Sequence, residues 1–265
     1  MDELSDQVLD AFGLVEPAVR LPGGQEETWR SGAVVLKPAG AETAWRAEVL
    51  SALPESKEFR VARPVRARDG RWVASGWEAS ELLAGATDVR RQDEILTAAA
   101  AFHEAVDEVP RPEFLDTRHD PWADGDRIAW REESIGGSPA YAELVGPLVA
   151  AWRPVELRSQ VVHGDLPGNV MFADGLPPAI IDWSVYWRPP SWAAAVAVAD
   201  ALCWYGAAPE LAARWAHLPE WGQMLVRALI YRMTTDELAG GAAAWTDSRR
   251  ASYAPVIELA VSYAG

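Results

Sequence analysis

Between Val161 and Trp183 the sequence reads VVHGDLPGNVMFADGLPPAIIDW, which sets two carboxylates and a carboxamide, Asp165, Asp182 and Asn169, around one loop and two apolar runs. Asp174-Gly175, followed by Pro177-Pro178, lies between the runs 170–172 and 179–181. Asp-Gly tolerates the positive φ that a tight reversal demands, so the pattern predicts a hairpin. Such a hairpin returns the chain so that Asp182 comes near Asn169 and Asp165. Phosphoryl transfer uses that set of groups: one carboxylate to orient an acceptor hydroxyl and take its proton, and oxygen ligands for Mg²⁺. Taken singly, Asp, Asn and Gly are turn formers. Three matches at compatible spacing, each flanked by strand-like runs, favour the chemical reading.

His163-Gly164-Asp165, then Asn169, then a strand ending Ile181-Asp182-Trp183 resembles the aminoglycoside phosphotransferase and choline kinase branch of the protein-kinase-like superfamily. The resemblance implies ATP- and Mg²⁺-dependent phosphorylation of a hydroxyl on a small molecule. Carried over residue by residue, it makes Asp165 the catalytic base and Asn169 and Asp182 the metal ligands, with His163 a structural bond-maker behind the loop. Two departures stand out. The four-residue step from Asp165 to Asn169 is shorter than the family's usual spacing. The family also often places a further aspartate near the start of the helix after the metal-binding strand, where it ties the catalytic loop in place. In SVYWRPPSWAAAVAVADAL apolar residues hold that place, and Asp200 is the first acid available.

The fold implied is α+β in two lobes. Residues 1–80 would form a nucleotide-binding lobe with an antiparallel sheet and one helix, and residues 81–265 a mainly helical lobe carrying the catalytic loop and acceptor site. In the first lobe, 5–12 reads as a short helix capped by Ser5, and 18–21 as a strand. Gly23-Gly24 is a common hairpin pair, and 33–37 is a strand ending in Lys37. In the family such a turn covers the nucleotide phosphates and the lysine reaches them, so Gly23, Gly24 and Lys37 are implied ATP-binding residues.

The helix predicted over 41–53 should supply a glutamate to that lysine. Alignment of the helix ends puts Arg46 at the expected position. Glu48 is preferred over Glu42, which lies too close in sequence to Lys37; the alternative is that Arg46, Glu48 and Glu42 all simply face solvent. Next come a predicted strand pair, 59–66 and 71–77, joined by Arg68-Asp69-Gly70, and a hinge at 76–80 whose Glu78 and Ala79 would meet the adenine by position.

A long helix is predicted from Thr87, as its cap, to Val109, with His103 inside its apolar stripe as a core histidine. Asp120-Pro121 and Ser138-Pro139 each read as a helix start, cap then proline at the first helical position. Asp124, Asp126, Glu132 and Glu133 read as a solvated helix face, with an acceptor-binding surface as the alternative. Helices follow at roughly 190–206, 209–217, 219–239 and 249–263.

Composition bounds the rest. The 265 residues carry a net charge of −15, which argues against nucleic acid or an anionic membrane as partner and suits a cationic acceptor. No apolar run approaches the ~20 residues a bilayer needs. The acidic, amphipathic N-terminus is unlike a secretory signal, and a single cysteine, Cys203, excludes an internal disulfide. These features point to a cytoplasmic enzyme, monomer or homodimer. Two rival readings remain: a kinase-like nucleotide-binding or regulatory protein without turnover, and a protein-directed kinase. The second is disfavoured because 183–191 is too short for an activation segment.

Overall fold

The computed structural model of the protein describes residues 4–21, 28–133 and 136–265. Its architecture is α+β, with an antiparallel sheet in the N-terminal region and a mainly helical C-terminal part. Two compact units result. One comprises the chain through Thr87 together with Val170–Asp182, the other Asp88–Asn169 and Trp183–Gly265. The division expected near residue 80 therefore falls later, and the 170–182 hairpin belongs with the N-terminal unit.

In the first unit, strands β1 (Val19–Arg20), β2 (Trp29–Ser31), β3 (Val34–Pro38), β5 (Val73–Ala74) and β6 (Trp77–Glu81) form a sheet in the order β1-β2-β3-β6-β5. Helix α1 (Asp6–Ala11) supplies Val8, with Leu4 and Phe12 flanking it, to a core shared with Trp29, Leu36, Ala74 and Ala79. Helix α2 (Thr43–Ala52) follows β3 and buries Thr43 and Ala47. A second sheet sets β4 (Arg60–Val61) parallel to β10 (Ala179–Ile180), with β9 (Val170–Phe172) and β7 (Ala86–Thr87) beyond.

Three expectations are corrected here. Arg68-Asp69-Gly70 does turn, with Ala67 N–H on the Arg71 carbonyl at 2.9 Å, but 59–66 and 71–77 form no ladder. The hairpin that forms is β5–β6, closed by Ser75-Gly76, both at positive φ (52° and 79°); that pair of dihedrals matches the right-handed twist of the strands. Residues 76–80 are accordingly no hinge but the turn end and body of β6. Thr87 caps no helix: it pairs with Met171 in β7. The Asp88 carboxylate folds onto the Arg90 N–H at 3.1 Å, and α3 (Gln92–Ala105) begins only after Arg91.

The second unit is built on α9 (Trp221–Gly240), in which every residue from Trp221 to Thr235 is buried. Around it lie α5 (Pro121–Ala129), α6 (Pro139–Ala151), α7 (Pro190–Trp204) and α10 (Asp247–Ala264). The predicted starts of α5 and α6 hold: the Asp120 carboxylate accepts from Trp122 N and Ala123 N, and the Ser138 hydroxyl accepts from Tyr141 N. Strands β8 (Gln160–His163) and β11 (Val185–Arg188) pair antiparallel beside α3 and α7. No described helix is long and apolar enough to cross a membrane.

Candidate active site

In the second unit the loop that carries Asp165 leaves a strand buried at every residue, β8. His163 is fully buried, and its backbone N–H donates to His103 Nε2 at 2.9 Å. Burial and the neighbouring His163 push the His103 imidazole down to about 3, so it stays neutral and accepts. His163 Nδ1 in turn accepts the Asp165 N–H at 3.1 Å. Gly164 N–H reaches the Ser184 carbonyl at 3.0 Å, and a Cβ on Gly164 would stand 2.4 Å from the Tyr186 ring, so only glycine fits there.

The shortened step to Asn169 is a β-turn. Asn169 N–H bonds the Leu166 carbonyl at 2.9 Å, Pro167 holds the second position, and Gly168 takes φ +84° at the third, as a type II turn requires. Leu166 is 1% exposed, and its burial anchors the turn by about 1.5–3 kcal/mol. The turn brings the Asn169 amide nitrogen to the Asp165 carbonyl at 2.6 Å and to Asp165 Oδ2 at 3.3 Å. Spending its NH₂ there leaves the Asn169 amide oxygen as a donor atom for a hard cation.

In the first unit the 170–182 hairpin forms as expected, with Val170 opposite Ile180 and Met171 opposite Ala179. Gly175 turns it at φ +73°, and Arg60 braces it through the carbonyls of Pro177 and Pro178 at 2.8 and 2.7 Å. Asp182, at its end, has φ +49°, a left-handed conformation that a non-glycine residue adopts against steric resistance. Its Oδ1 accepts from the Lys37 ammonium.

Residues 28–227 match the phosphotransferase enzyme family, APH. The chain belongs to that family. No curated protein matches the APH chain by sequence. Solved structures similar to it include a thermostable mutant of aminoglycoside phosphotransferase APH(4)-Ia in a ternary complex with ADP and hygromycin B, with TM-score 0.60, 15% identity, and coverage of 95% of this chain and 97% of that one. Amicoumacin kinase hAmiN, in complex with AMP-PNP, Ca²⁺ and Ami, is similar at TM-score 0.60 and 14% identity, with 92% and 88% covered. Choline kinase LicA from Streptococcus pneumoniae is similar at TM-score 0.57 and 11% identity, with 96% and 98% covered. These likenesses establish the kinase-like fold, and with the family match they support a small-molecule phosphotransferase.

Among the described residues the carboxylate on Lys37 is that of Asp182 rather than a glutamate. Glu48 is exposed and accepts from Trp72 Nε1 at 2.8 Å, with Arg66 at 3.6 Å. Glu42 lies 3.5 Å from Arg46. Glu78 sits opposite Lys37 in the β3–β6 register but is held by Arg46. Ala79 is buried opposite Leu36, and its carbonyl accepts from Val65 N–H at 2.8 Å. Strand β6 pairs Glu78 with Lys37 and with Val73, and the place expected for Glu78 and Ala79 beside the adenine stays a proposal. Gly23 and Gly24 lie outside the described residues.

Among the described residues no group of three or more His, Cys, Asp and Glu is placed to hold a metal ion. Magnesium, however, commonly takes one or two protein oxygens and completes its shell with phosphate and water. Asp182 in the first unit and Asn169 in the second each offer an oxygen of the kind such an ion takes.

Of the four acids expected on a solvated face, Glu132 and Glu133 are exposed and Asp124 is partly so, but Asp126 is not. Asp126 is buried, its carboxylate clasped by Arg188 at 2.9–3.1 Å; Arg188 also donates to Glu132 at 2.8 Å. Glu133 accepts from Arg127 at 2.6 Å, and Arg127 also pairs with Asp124. Asp126, Glu132 and Glu133 line a cavity of about 280 Å³ together with Arg118, Arg188 and Tyr186. Tyr186 is the ring that rests on Gly164, so the cavity wall touches the residue before Asp165.

One residue at this site escaped sequence reasoning. Arg232, on α9, donates from Nη2 to Asp165 Oδ1 at 2.7 Å and to Asp200 Oδ2 at 2.6 Å. A signal was present: Asp200 is the one charge in the apolar run 192–204, and Arg232 lies within a largely apolar stretch, ALIYRM. Charges in such runs are paired when buried.

Proposed function

We propose that the protein transfers the γ-phosphoryl group of ATP, with Mg²⁺, to a hydroxyl of a small polar molecule. The observation that carries this is the Asp165–Asn169 turn, which points an acid and an amide outward from a fully buried strand. Asp165 would accept the hydroxyl proton as the acceptor oxygen bonds to phosphorus, while the bond to the β–γ bridging oxygen breaks and ADP leaves. Lys37 would exchange Asp182 for the phosphate tail. Asn169 and Asp182 would hold Mg²⁺, which supplies charge stabilisation on the phosphate oxygens. The 280 Å³ cavity beside Tyr186, with its mixed acidic and basic lining, suits a charge-bearing acceptor. Dependence on ATP fits the cytoplasm.

The test is ADP release from Mg²⁺-ATP against a panel of hydroxylated acceptors that includes hygromycin B and choline. Asp165→Asn should lower kcat about 10²-fold or more while nucleotide affinity is kept. Unchanged turnover removes Asp165 from the role of base. A second reading is nucleotide binding without transfer, favoured by the Arg232 contact on the Asp165 carboxylate. It predicts stabilisation by Mg²⁺-ATP with no ADP formed from any acceptor.

A further inference from the structure

We infer that Arg232, clamped by Asp200, is a positioning residue that sets the orientation of the Asp165 carboxylate. This rests on the reading of Asp165 as base.

Arg232 grips Asp200 with two bonds, Nε to Oδ1 at 2.9 Å and Nη2 to Oδ2 at 2.6 Å. Two-point pairing of a planar guanidinium with a carboxylate fixes its plane, which a single-point ammonium does not achieve. Both partners are buried, Asp200 at 2% and Arg232 at 7% exposure, on the two helices packed at the centre of this unit. The Nη2 so fixed donates a further bond of 2.7 Å to Asp165 Oδ1.

The two oxygens of Asp165 are thereby made unequal. Oδ1 is occupied by a rigid charged donor. Among the described residues Oδ2 has only the long 3.3 Å approach of the Asn169 amide, and is the oxygen left to receive a hydroxyl proton. Free rotation of the carboxylate would interchange the two; the Arg232 bond prevents it.

Arg232 on α9 thus links Asp200 on α7 to the loop that carries Asp165. Asp165, exposed at 46% of its side chain, stays in water on its other side.

The experiment compares Arg232→Lys, Arg232→Met and Asp200→Asn with the native chain. Each is first checked for folding by circular dichroism and melting, then assayed for ADP release from Mg²⁺-ATP with the acceptor the native chain turns over best. Arg232→Met should lower kcat about ten- to a hundred-fold with KM for ATP within about twofold. Arg232→Lys should recover part of that loss, and Asp200→Asn should shift kcat in the same direction. In an Asp165→Asn background Arg232→Lys should have no further effect on residual turnover, because the carboxylate it orients is gone. If Arg232→Met fails to fold, the lysine and asparagine variants carry the comparison. A folded variant with native kcat, or a full additional loss on top of Asp165→Asn, overturns the inference. A native chain that releases no ADP with any acceptor overturns instead the reading of Asp165 on which it rests.

Discussion

Arg46 on α2 donates both bonds of its Nη2 to Glu78 on β6, at 2.7 and 2.8 Å, at the helix position where a glutamate facing Lys37 is expected from the sequence. The charge order is reversed: the helix contributes the cation and the sheet the anion. Both side chains are largely covered, at 17% and 21% exposure, so the pair is shielded from water more than a surface bridge is.

That relationship predicts a stability effect. Arg46→Met should lower the unfolding free energy by about 1–3 kcal/mol, since Glu78 is left without its charged donor. The doubly changed chain, Arg46→Glu with Glu78→Arg, should regain part of the loss. Denaturant melts of the three variants measure this, and a swapped chain no better than the single change would show that α2 is held by other contacts.

Asp182 combines a left-handed backbone with a proposed metal-binding role, and the two can be separated. Asp182→Ala and Asp182→Gly both remove the carboxylate, but only alanine keeps a Cβ at φ +49°. The glycine variant should therefore melt as the more stable of the two, by about 1 kcal/mol. The native chain should gain about 2.7 kcal/mol from Mg²⁺-ATP at a hundred times its Kd, and neither variant should match that gain. Equal gains in native and variant chains would remove Asp182 from the metal site.

His103 should make the fold acid-sensitive. Its imidazole titrates near 6.5 when unfolded and is pushed down to about 3 in the folded chain by burial and by His163. The unfolded state therefore binds the proton first as pH falls. The stability contributed is fully present above about 6.5 and is lost progressively toward 3, at up to about 1.4 kcal/mol per pH unit. Between pH 7.5 and 4.5 the native chain should lose on the order of 2 kcal/mol more than His103→Gln, whose amide can still accept the His163 N–H. Parallel losses in the two chains would mean that His103 does not govern this limb.

Much of the site was legible because its elements are local. The 170–182 hairpin follows from Asp174-Gly175, whose backbone preference acts over a few residues whatever surrounds it. The starts of α5 and α6 follow from a capping side chain and a proline one step apart. The core placement of His103 follows from apolar periodicity. Even the short Asp165–Asn169 step, a departure from the family, resolves locally into a Pro-Gly turn.

What the sequence by itself determined is thus the family, the α+β class and the loop bearing Asp165 and Asn169, each written in residues close together in the chain. Tertiary structure alone decided the partners. Lys37 takes Asp182 rather than Glu48, Arg46 takes Glu78, and Asp165 takes Arg232, pairings separated by 145, 32 and 67 residues. It also decided that Trp77–Glu81 is an interior strand rather than a link, because its fate depends on whether β3 and β5 lie beside it. The physical reason is the same in each case. Backbone conformation answers to neighbours in sequence, whereas a charge answers to whichever opposite charge the fold leaves within a few ångströms in a poorly solvated place.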